Sequence, residues 1–416
     1  MSEEKKKYLR EQVFPGAWAK WIDSINDKSA MSEFPKYLPI PHCAENEYRE
    51  VAWGIERFGE SFKPLWINRP TCGDQDVRFQ MKYCGVCHSD CHLGHNDLND
   101  SIFPMVPGHE LIGTVTEVGS KVTRVKVGDN VGVGVIKDSC LDCGACQGGD
   151  EQYCEAGNNV HTYNSMKRYT HIGGNPDTQN FGGYSGSEVV HERFILKIPD
   201  AIPLAAAGPI LCAGITLYDP LRHWGATKGK KMSVGIVGIG GLGTMGVKIA
   251  KALGHSVTAI STSANKEALA KGKGADTFVV STNAESMKAA ASSLDLILNT
   301  VSAEHQLSAY LPLLKTDGTL VQLGLVTSDH DVNQMALLPA RKTISASMVG
   351  GIAATQELLE LCAAHSIAPD VQLIEAKEID WAWEQLCTIN KDGIRYVIDI
   401  EKSLARADWL PVDATN

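Results

Sequence analysis

The sequence predicts an α/β protein in which β-rich segments precede and follow a doubly wound parallel sheet. From about residue 48 to about residue 200, short apolar–polar alternations are separated by turn residues, as in residues 112–135. A period of two is typical of half-buried strands. After Cys212, apolar strand patterns alternate with helical patterns, which predicts βαβ units and a parallel sheet.

The elements of the second half follow in order along the chain. Beyond the Gly-rich turn at 238–243, strands are expected at 257–260, 277–280, 294–298 and 320–323, with a helix at 305–315 between the last two. After residue 350 the pattern predicts a helix, a strand, a helix and a strand at 355–365, 371–376, 380–386 and 395–400.

These patterns also divide the chain into domains. The first 45 residues lack clean periodicity, although a short helix at 15–25 and an extended, proline-rich segment at 34–42 are expected there. The predicted division is an N-terminal extension at 1–45, a β-rich domain at 46–211 and 350–416 that includes a cysteine-rich lobe at 138–156, and a parallel-sheet domain at 212–349.

Composition excludes several classes of protein. The 416 residues suffice for two domains of roughly 100–200 residues each. The net charge of −10 argues against nucleic-acid binding. No apolar run reaches the roughly 18 residues that a membrane span requires, and the N-terminus lacks the apolar core of a signal peptide. We therefore expect a cytoplasmic protein.

The twelve cysteines are clustered rather than spread, which favours metal binding or catalysis over disulfides in a chain without a secretory signal. Residues 81–92 alone hold five potential metal ligands, and this segment is either a self-contained zinc knuckle or one corner of a site built elsewhere. The five are Cys84, Cys87, His88, Cys91 and His92.

A second cluster has the spacing C-x₂-C-x₂-C-x₇-C. Four thiolates in a polar, turn-rich segment satisfy a tetrahedral zinc and leave no open position, which predicts a structural site. An iron–sulfur cluster is the alternative, because four cysteines also suit one. The four residues are Cys140, Cys143, Cys146 and Cys154.

Gly238, Gly240 and Gly243 form a G-x-G-x-x-G motif after an apolar strand and at the start of a helical pattern. The first glycine permits a tight turn, the second the approach of a pyrophosphate, and the third close helix–strand packing. The free N–H groups of the helix N-terminus favour phosphate. In this context the motif predicts dinucleotide binding.

The end of the following strand indicates which dinucleotide is bound. An NAD site usually has an acid there, whereas this chain has Ser261, Thr262, Ser263 and, shortly after, Lys266. Hydroxyls and a lysine suit a 2′-phosphate, which favours NADP(H). The alternative is that Ser261 or Ser263 is the N-cap of the next helix, and the two roles are compatible.

Two further residues, His109 with Glu110 beside it and Cys212, stand where a distributed metal site would draw its ligands. A lone buried histidine or cysteine is more often a packing residue. Taken in order, however, the segments 84–90, 107–110, 140–154, 210–214 and 238–243 resemble the zinc-containing medium-chain alcohol dehydrogenases. The most similar branch contains cinnamyl alcohol dehydrogenases and broad-range, NADP-dependent aldehyde reductases, and the resemblance covers roughly residues 48 to 400.

The resemblance implies a GroES-like catalytic domain, a Rossmann domain, two zinc ions per chain and a homodimer formed through the Rossmann domains. It implies Cys87, His109 and Cys212 as ligands of a catalytic zinc, a ligand set known for alcohol dehydrogenase, with Glu110 as a near neighbour. Ser89 would lie beside the substrate oxygen and His92 at the outer end of a proton relay. The implied cofactor residues are Thr216, Gly238, Gly240, Gly241, Leu242, Gly243, Ser261, Thr262, Ser263, Lys266, Thr300, Gly324, Ser347, Met348 and Val349.

The implied reaction is reversible, NADP(H)-linked hydride transfer between primary alcohols and aldehydes, with reduction favoured and zinc polarising the substrate oxygen. His161 stands near the position where lignin-pathway enzymes carry a pocket tryptophan, which leaves a broad aldehyde range open. The alternatives are an NAD-linked polyol dehydrogenase of the same fold and a non-catalytic nucleotide-binding paralogue.

Overall fold

The computed structural model describes residues 36–38, 40, 42–157, 159–166, 179–326, 330, 332–388 and 393–404. The helix expected at 15–25 lies outside these residues. The strands are β1 Lys36–Tyr37, β2 Glu47–Gly54, β3 Lys63–Pro70, β4 Asp76–Gly85, β5 Ile102–Phe103, β6 Leu111–Val118, β7 Asn130–Val133, β8 Ile136–Asp138, β9 Val160–His161, β10 Ser187–His191, β11 Leu196–Lys197, β12 Ser233–Val237, β13 Ser256–Ser261, β14 Thr277–Val280, β15 Leu294–Asn299, β16 Leu314–Gln322, β17 Thr343–Ala346, β18 Val371–Ile374 and β19 Arg395–Asp399.

Ten α-helices are found among the described residues, together with short 3₁₀ turns. The helices are α1 His88–Gly94, α2 Gly144–Gly148, α3 Leu204–Ala207, α4 Ala213–His223, α5 Gly241–Ala252, α6 Glu267–Gly272, α7 Ala284–Ala289, α8 Ile352–Ala364, α9 Ile379–Thr388 and α10 Ile400–Leu404. The 3₁₀ turns are Glu151–Tyr153, Glu192–Phe194, Gly208–Leu211, Ala264–Lys266, Leu307–Leu313, Gln334–Ala336, Leu338–Ala340 and Ala376–Glu378.

The first large sheet has seven strands in the order β11-β7-β6-β4-β19-β18, and β10 also pairs with β4. Along β4, Val77, Phe79 and Met81 alternate into the core and are fully buried, as a half-buried strand requires. Strand β19 comes from the end of the chain and pairs with β4 through Val397↔Gly85 and Ile398↔Cys84. The chain therefore returns to its first sheet after leaving the second.

The second sheet is parallel throughout, in the order β14-β13-β12-β15-β16-β17. Both of its faces are apolar: Ile236 and Leu298 face one core and Val237 and Ile297 the other, the pattern of a sheet covered on both sides. Strand order reverses between β12 and β15, and such a switch point opens a crevice at the carboxyl edge. The predicted fold class is confirmed.

One apolar core joins the two sheets. It contains Ile112 of β6 and Ile210 as well as Val234 and Ile236 of β12. Helix α4 packs on α5 at Gly246, where an added Cβ would lie 2.8 Å from the Leu217 side chain. Continuous packing of this kind holds the start of α4, and with it Cys212, at a set position between the two sheets.

The expected strands and the last four elements of the chain are confirmed, but the helix expected at 305–315 is wrong. A 3₁₀ turn spans Leu307–Leu313, and β16 already begins at Leu314. Pro312 lies inside this turn, and proline removes the backbone donor that an α-helix would need there. In the part of the chain that the structure describes, no single helix has the length and apolarity to cross a membrane, and the bent pair Leu204–Leu211 with Ala213–His223 meets that test by length and composition only.

Candidate active site

Four side chains from three distant segments converge between the two sheets. The ligand atoms of Cys87, His109, Glu110 and Cys212 all lie within 4.8 Å of one another, and all four residues are buried. The Cys87 and Cys212 sulfurs are 3.8 Å apart, and His109 Nε2 is 3.3 Å from the Cys212 sulfur. A tetrahedral zinc, with bonds of about 2.3 Å to sulfur and about 2.0 Å to nitrogen, sets such ligand atoms roughly 3.5–3.8 Å apart. The cluster therefore fits zinc.

The cluster contains the charge that a metal site requires. The hydrogen bond with Cys212 lowers the pKa of Cys87 well below its usual value, whereas the pKa of Cys212 is raised by the same bond and by burial. The lowered pKa favours the thiolate of Cys87, the form of cysteine that binds metal.

Asp90, fully buried in the first turn of α1, sets the orientation of His109. Its Oδ1 lies 3.1 Å from His109 Nδ1 and accepts a hydrogen bond from the Tyr163 hydroxyl at 2.7 Å, and its Oδ2 accepts from Tyr184 at 3.1 Å. Burial opposes the charged imidazole, but the Asp90 carboxylate raises the pKa of His109 well above its usual value. A carboxylate on Nδ1 leaves Nε2 to face the metal position, the common second-shell arrangement of a metal-binding histidine.

Sequence reasoning missed Asp90, although a signal for it existed. The residue is the third of a helix that starts after Cys87, and its Oδ2 accepts the Cys87 backbone N–H at 2.9 Å. An acid at this position caps a helix. That capping role gives no hint of the bond to His109, which comes from another segment of the chain.

Arg395, at the start of β19, holds Glu110. Its Nη2 donates to Glu110 Oε1, and its positive charge helps to lower the pKa of Cys87. Burial raises the pKa of Glu110, while Arg395 acts in the opposite direction. Gly85 is required here because a Cβ would overlap the Glu110 carboxylate. Glu110 therefore lies beside the cluster as expected. Its partner Arg395 was missed by sequence reasoning, because the only signal for it was a charged residue in an apolar strand.

The two predicted proton-handling residues lie on α1. Ser89 Oγ is 3.7 Å from the Cys87 sulfur. His92 Nδ1 is 2.8 Å from Asp97 Oδ2, its ring stacks on His88 at 4.6 Å, and its Nε2 is buried with no hydrogen-bond partner among the described residues. Within those residues Ser89 and His92 share no direct hydrogen bond, so a relay between them requires a bound group between the two.

The other potential ligands of residues 81–92 do not join the cluster. Cys84 is buried in β4, where its burial raises its pKa, and His88 stacks on His92. The Cys91 thiol donates to the Cys87 backbone carbonyl oxygen at 3.8 Å. The segment thus contributes one residue, Cys87, to the buried cluster.

The four cysteines of the lobe form a second cluster, with all sulfurs within 4.8 Å of one another. The Cys140 and Cys146 sulfurs are 3.8 Å apart. Backbone N–H groups donate to the sulfurs, from Cys143 to Cys140 and from Glu155 to Cys143, each at 3.3 Å. Burial disfavours the charged form of Cys143, but the backbone N–H groups of Cys146 and Glu155 lower its pKa to about 6. The spacing and charge fit a tetrahedral metal with no open position.

This lobe is attached to the end of the parallel sheet. The Tyr153 hydroxyl accepts the Met348 N–H at 3.1 Å and lies 3.5 Å from Ser347 Oγ. Glu151 Oε2 accepts the Ile352 N–H at 3.0 Å. Ser347 also donates to Asp219 of α4 at 3.2 Å. The predicted cofactor residues Ser347 and Met348 are therefore held by the lobe.

The glycine loop has the geometry of a phosphate cradle. Gly238 has a φ of +88°, a Cβ on Gly243 would overlap the Gly238 carbonyl oxygen, and a Cβ on Gly240 would meet nothing within 4 Å. Space beside Gly240 at the first turn of α5 suits a pyrophosphate. Thr300 Oγ1 donates to the carbonyl oxygens of Val237 and Gly238 and fixes the loop from β15.

Most of the remaining predicted cofactor residues follow the carboxyl ends of strands, at one edge of the parallel sheet. Thr216 is different, because it lies in α4, one turn after Cys212. Ser263 Oγ accepts the Asn265 N–H and Ser261 Oγ accepts the Ser263 N–H, each at 3.3 Å, so both serines also act as caps. The residues at this edge are Gly241, Leu242, Thr262, Lys266, Gly324 and Val349.

A dinucleotide-type loop beside a buried Cys–His–Cys cluster, with a separate four-cysteine lobe, defines a zinc-binding dehydrogenase. Residues 73–200 match the model of the alcohol dehydrogenase GroES-like domain, and residues 241–364 match that of the zinc-binding dehydrogenase. The chain belongs to the zinc-binding alcohol dehydrogenase family.

Relatives extend over most of the chain. The NADP-dependent alcohol dehydrogenase C 1 of Mycolicibacterium smegmatis is 46% identical over 80% of this chain and 93% of its own length. A probable mannitol dehydrogenase of Medicago sativa is 44% identical over 86% and 96%. The structure of cinnamyl alcohol dehydrogenase SbCAD4 from Sorghum bicolor superposes with a TM-score of 0.80 at 37% identity, over 86% of this chain and 99% of that one. The resemblance inferred from the sequence is confirmed: this protein is an alcohol dehydrogenase-type oxidoreductase.

Proposed function

We propose that this enzyme reduces aldehydes to primary alcohols with NADPH, and runs the reverse reaction with NADP⁺, at a zinc held by Cys87, His109 and Cys212. The observation that carries the proposal is the buried cluster, whose three ligand atoms have the spacing and charge of a zinc site.

Zinc bound there would supply Lewis-acid polarisation of the substrate oxygen. Asp90 keeps the His109 imidazole oriented, and Arg395 balances the negative charge of Cys87 and Glu110. Ser89, 3.7 Å from the Cys87 sulfur, holds a proton at Oγ next to the place where the substrate oxygen must lie. His92, whose side chain is 21% exposed, would take up that proton and exchange it with solvent.

NADP(H) is the proposed cofactor. The space beside Gly240 accepts the pyrophosphate, and the end of β13 offers Ser261, Thr262 and Ser263 but no acid that would repel a 2′-phosphate. Lys266 follows within one turn. The NADP-dependent relative from Mycolicibacterium smegmatis supports the same choice.

The polyol alternative has a specific observation in its favour, the relative named a probable mannitol dehydrogenase. An NAD-linked enzyme would be expected to carry an acid after β13, which this chain lacks. The assay therefore compares NADPH with NADH on aliphatic and aromatic aldehydes, and NADP⁺ with NAD⁺ on mannitol. Equal rates with NADH, or faster turnover of mannitol with NAD⁺, would overturn the proposal.

Four further assignments belong to the same proposal. The lobe would hold a structural zinc, and a metal analysis that found iron would favour the iron–sulfur alternative. The domains would be divided as expected from the sequence, at 46–211 with 350–416 and at 212–349. The chain would act in the cytoplasm as a homodimer. Strand β17 is the edge of the parallel sheet, and Leu325, Met335 and Leu338 are exposed near it, which suits pairing between two copies.

A further inference from the structure

The segment that joins β17 to α8 contains an unusual backbone conformation. Val349 has a φ of +40°, in the left-handed region that is least favourable for a β-branched residue. Its N–H donates to no acceptor among the described residues. Such conformations persist only where the surrounding structure enforces them, and they cluster at sites that clamp a ligand. The contacts on either side of Val349 therefore determine whether this conformation is kept.

Both flanks of Val349 are held by one short 3₁₀ turn of the cysteine lobe. Before Val349, the Tyr153 hydroxyl accepts the Met348 N–H at 3.1 Å. After Val349, Glu151 Oε2 accepts the Ile352 N–H at 3.0 Å. The Glu151 side chain is buried, so this second bond is protected from water. The lobe thus fixes the course of the backbone on both sides of Val349.

Two consecutive glycines let the same segment approach its neighbours closely. A Cβ on Gly351 would overlap the carbonyl oxygen of Gly149 in the lobe. A Cβ on Gly350 would lie 3.0 Å from the Cβ of Asp219 in α4, and Asp219 also accepts a hydrogen bond from Ser347 at 3.2 Å. The segment is therefore packed between the lobe and α4, which leaves its backbone little space to change conformation.

The order of the parallel sheet indicates which half of a bound dinucleotide this segment would meet. Strand β12 leads into the glycine loop, and β13 is its neighbour on one side. Strand β17 is the third strand on the other side, about 14 Å away at the usual spacing of strands. With the pyrophosphate at the loop and the 2′-phosphate beyond β13, the nicotinamide half extends toward β17. This placement rests on the proposed function, because it takes NADP(H) as the cofactor.

We propose that Tyr153 is a positioning residue for the nicotinamide half of the cofactor, and that it acts by holding Val349 in its left-handed conformation. Tyr153 itself need not touch the cofactor. The lobe would therefore contribute to cofactor binding as well as to stability, and only at one end of the dinucleotide. The choice between NADPH and NADH depends on the residues after β13, so Tyr153 takes no part in it.

The test measures cofactor affinity directly, on the full-length, zinc-loaded protein. NADPH is titrated by the change in its fluorescence, and 2′,5′-ADP, which has the 2′-phosphate but no nicotinamide, is titrated by calorimetry. Tyr153→Phe should raise the Kd of NADPH roughly 3- to 10-fold, the effect of one lost hydrogen bond, and leave the Kd of 2′,5′-ADP unchanged. As a control, Tyr218→Phe removes a hydroxyl that lies 3.5 Å from Glu357 of α8 and should change neither Kd.

A second variant tests how Tyr153 acts. Glycine adopts a positive φ without steric cost, so Val349→Gly removes the need to hold this position. The loss of the Val349 side chain is common to both arms of the comparison. In the Val349→Gly background, Tyr153→Phe should therefore change the Kd of NADPH by less than about twofold.

Three outcomes would overturn the inference. The Kd of NADPH could be the same in wild type and Tyr153→Phe, it could rise together with that of 2′,5′-ADP, or it could rise as much in the Val349→Gly background as in wild type. Failure of the proposed function would be recognised separately, in the wild type alone. If the wild type bound NADH in preference to NADPH, the same variants would be compared with NADH and ADP, and the same three outcomes would decide. Binding of neither nicotinamide cofactor to the wild type would overturn both.

Discussion

The two cysteine clusters of this protein both bring potential metal ligands together and stabilise their charge, but they are built in opposite ways. The lobe draws four thiols from one short segment, two of them partly exposed, and stabilises their charge with backbone N–H groups. The cluster between the sheets draws its side chains from distant segments, buries them all, and stabilises them with the side chains of Asp90 and Arg395. A local site depends on loop geometry, whereas a distributed site depends on the whole fold.

The largest effect, and the clearest difference between the two clusters, is expected from Cys212→Ala. Loss of this ligand should lower kcat by ~10³-fold or more, because metal polarisation of the substrate is worth several kcal/mol. The lobe should keep its metal, so zinc content should fall from about two to about one per chain. Steady-state kinetics with elemental analysis tests this, and full activity with unchanged zinc would contradict the catalytic assignment.

A weaker effect is expected from Asp90→Asn, which keeps the size of the side chain and removes its charge. Activity or metal affinity at the catalytic cluster should fall by roughly 10–100-fold, as is usual for a lost second-shell carboxylate. Zinc titration against a competing chelator measures it. Asp74→Asn, at an exposed carboxylate paired with Lys121, is the control and should show no change, whereas equal losses in both variants would argue against an orienting role.

Cys143→Ser should affect stability rather than chemistry. The lobe should lose its metal and Tm should fall by roughly 10 °C, since a structural metal contributes several kcal/mol and each kcal/mol shifts Tm by about 2–4 °C. The protein still folded at low temperature should keep the NADPH dependence of wild type. Scanning calorimetry and kinetics on one preparation measure both. A loss of turnover as large as that of Cys212→Ala would show that the two sites are not separable.

The smallest effect concerns Asp219 of α4, which accepts a hydrogen bond from Ser347, a residue that the lobe also contacts through Tyr153. Burial and the nearby Asp150 raise its pKa to about 6. Between about pH 4 and about pH 6 the folded state then binds more protons than the unfolded state, so this group removes stability as pH rises, by ~2–3 kcal/mol. Asp219→Asn should raise Tm above pH 6 and flatten its pH dependence across that window. Unchanged Tm–pH profiles would contradict the shift.

The lobe and the glycine loop were predictable from sequence because their function depends on short-range spacing. Cys140, Cys143, Cys146 and Cys154 converge as expected, and Gly238, Gly240 and Gly243 have the turn, open space and close contact expected of them. In both cases the site is formed by one short segment of the chain, so the spacing of its residues can be recognised directly in the sequence.

The distributed cluster was less accessible from sequence. Cys87, His109 and Cys212 were assigned by resemblance, and neither spacing nor composition singled them out. Asp90 and Arg395 were missed, since their partners lie in other segments and only the fold brings them together. The helix wrongly expected at 305–315 has a related cause: apolar spacing suited a helix, but Pro312 and the pairing of β16 determine the local structure.

The pairing of β19 with β4 has a consequence for biosynthesis. Ribosomes release the chain from its N-terminus, and domains generally fold as units while synthesis proceeds. All six strands of the parallel sheet emerge before Arg395, and β4 remains without this neighbour until then. The nascent chain thus completes its nucleotide-binding half first and gains the counter-charge of its catalytic cluster last. A chain that ended before Arg395 would contain every ligand of both cysteine clusters but would lack the arginine that pairs with Glu110.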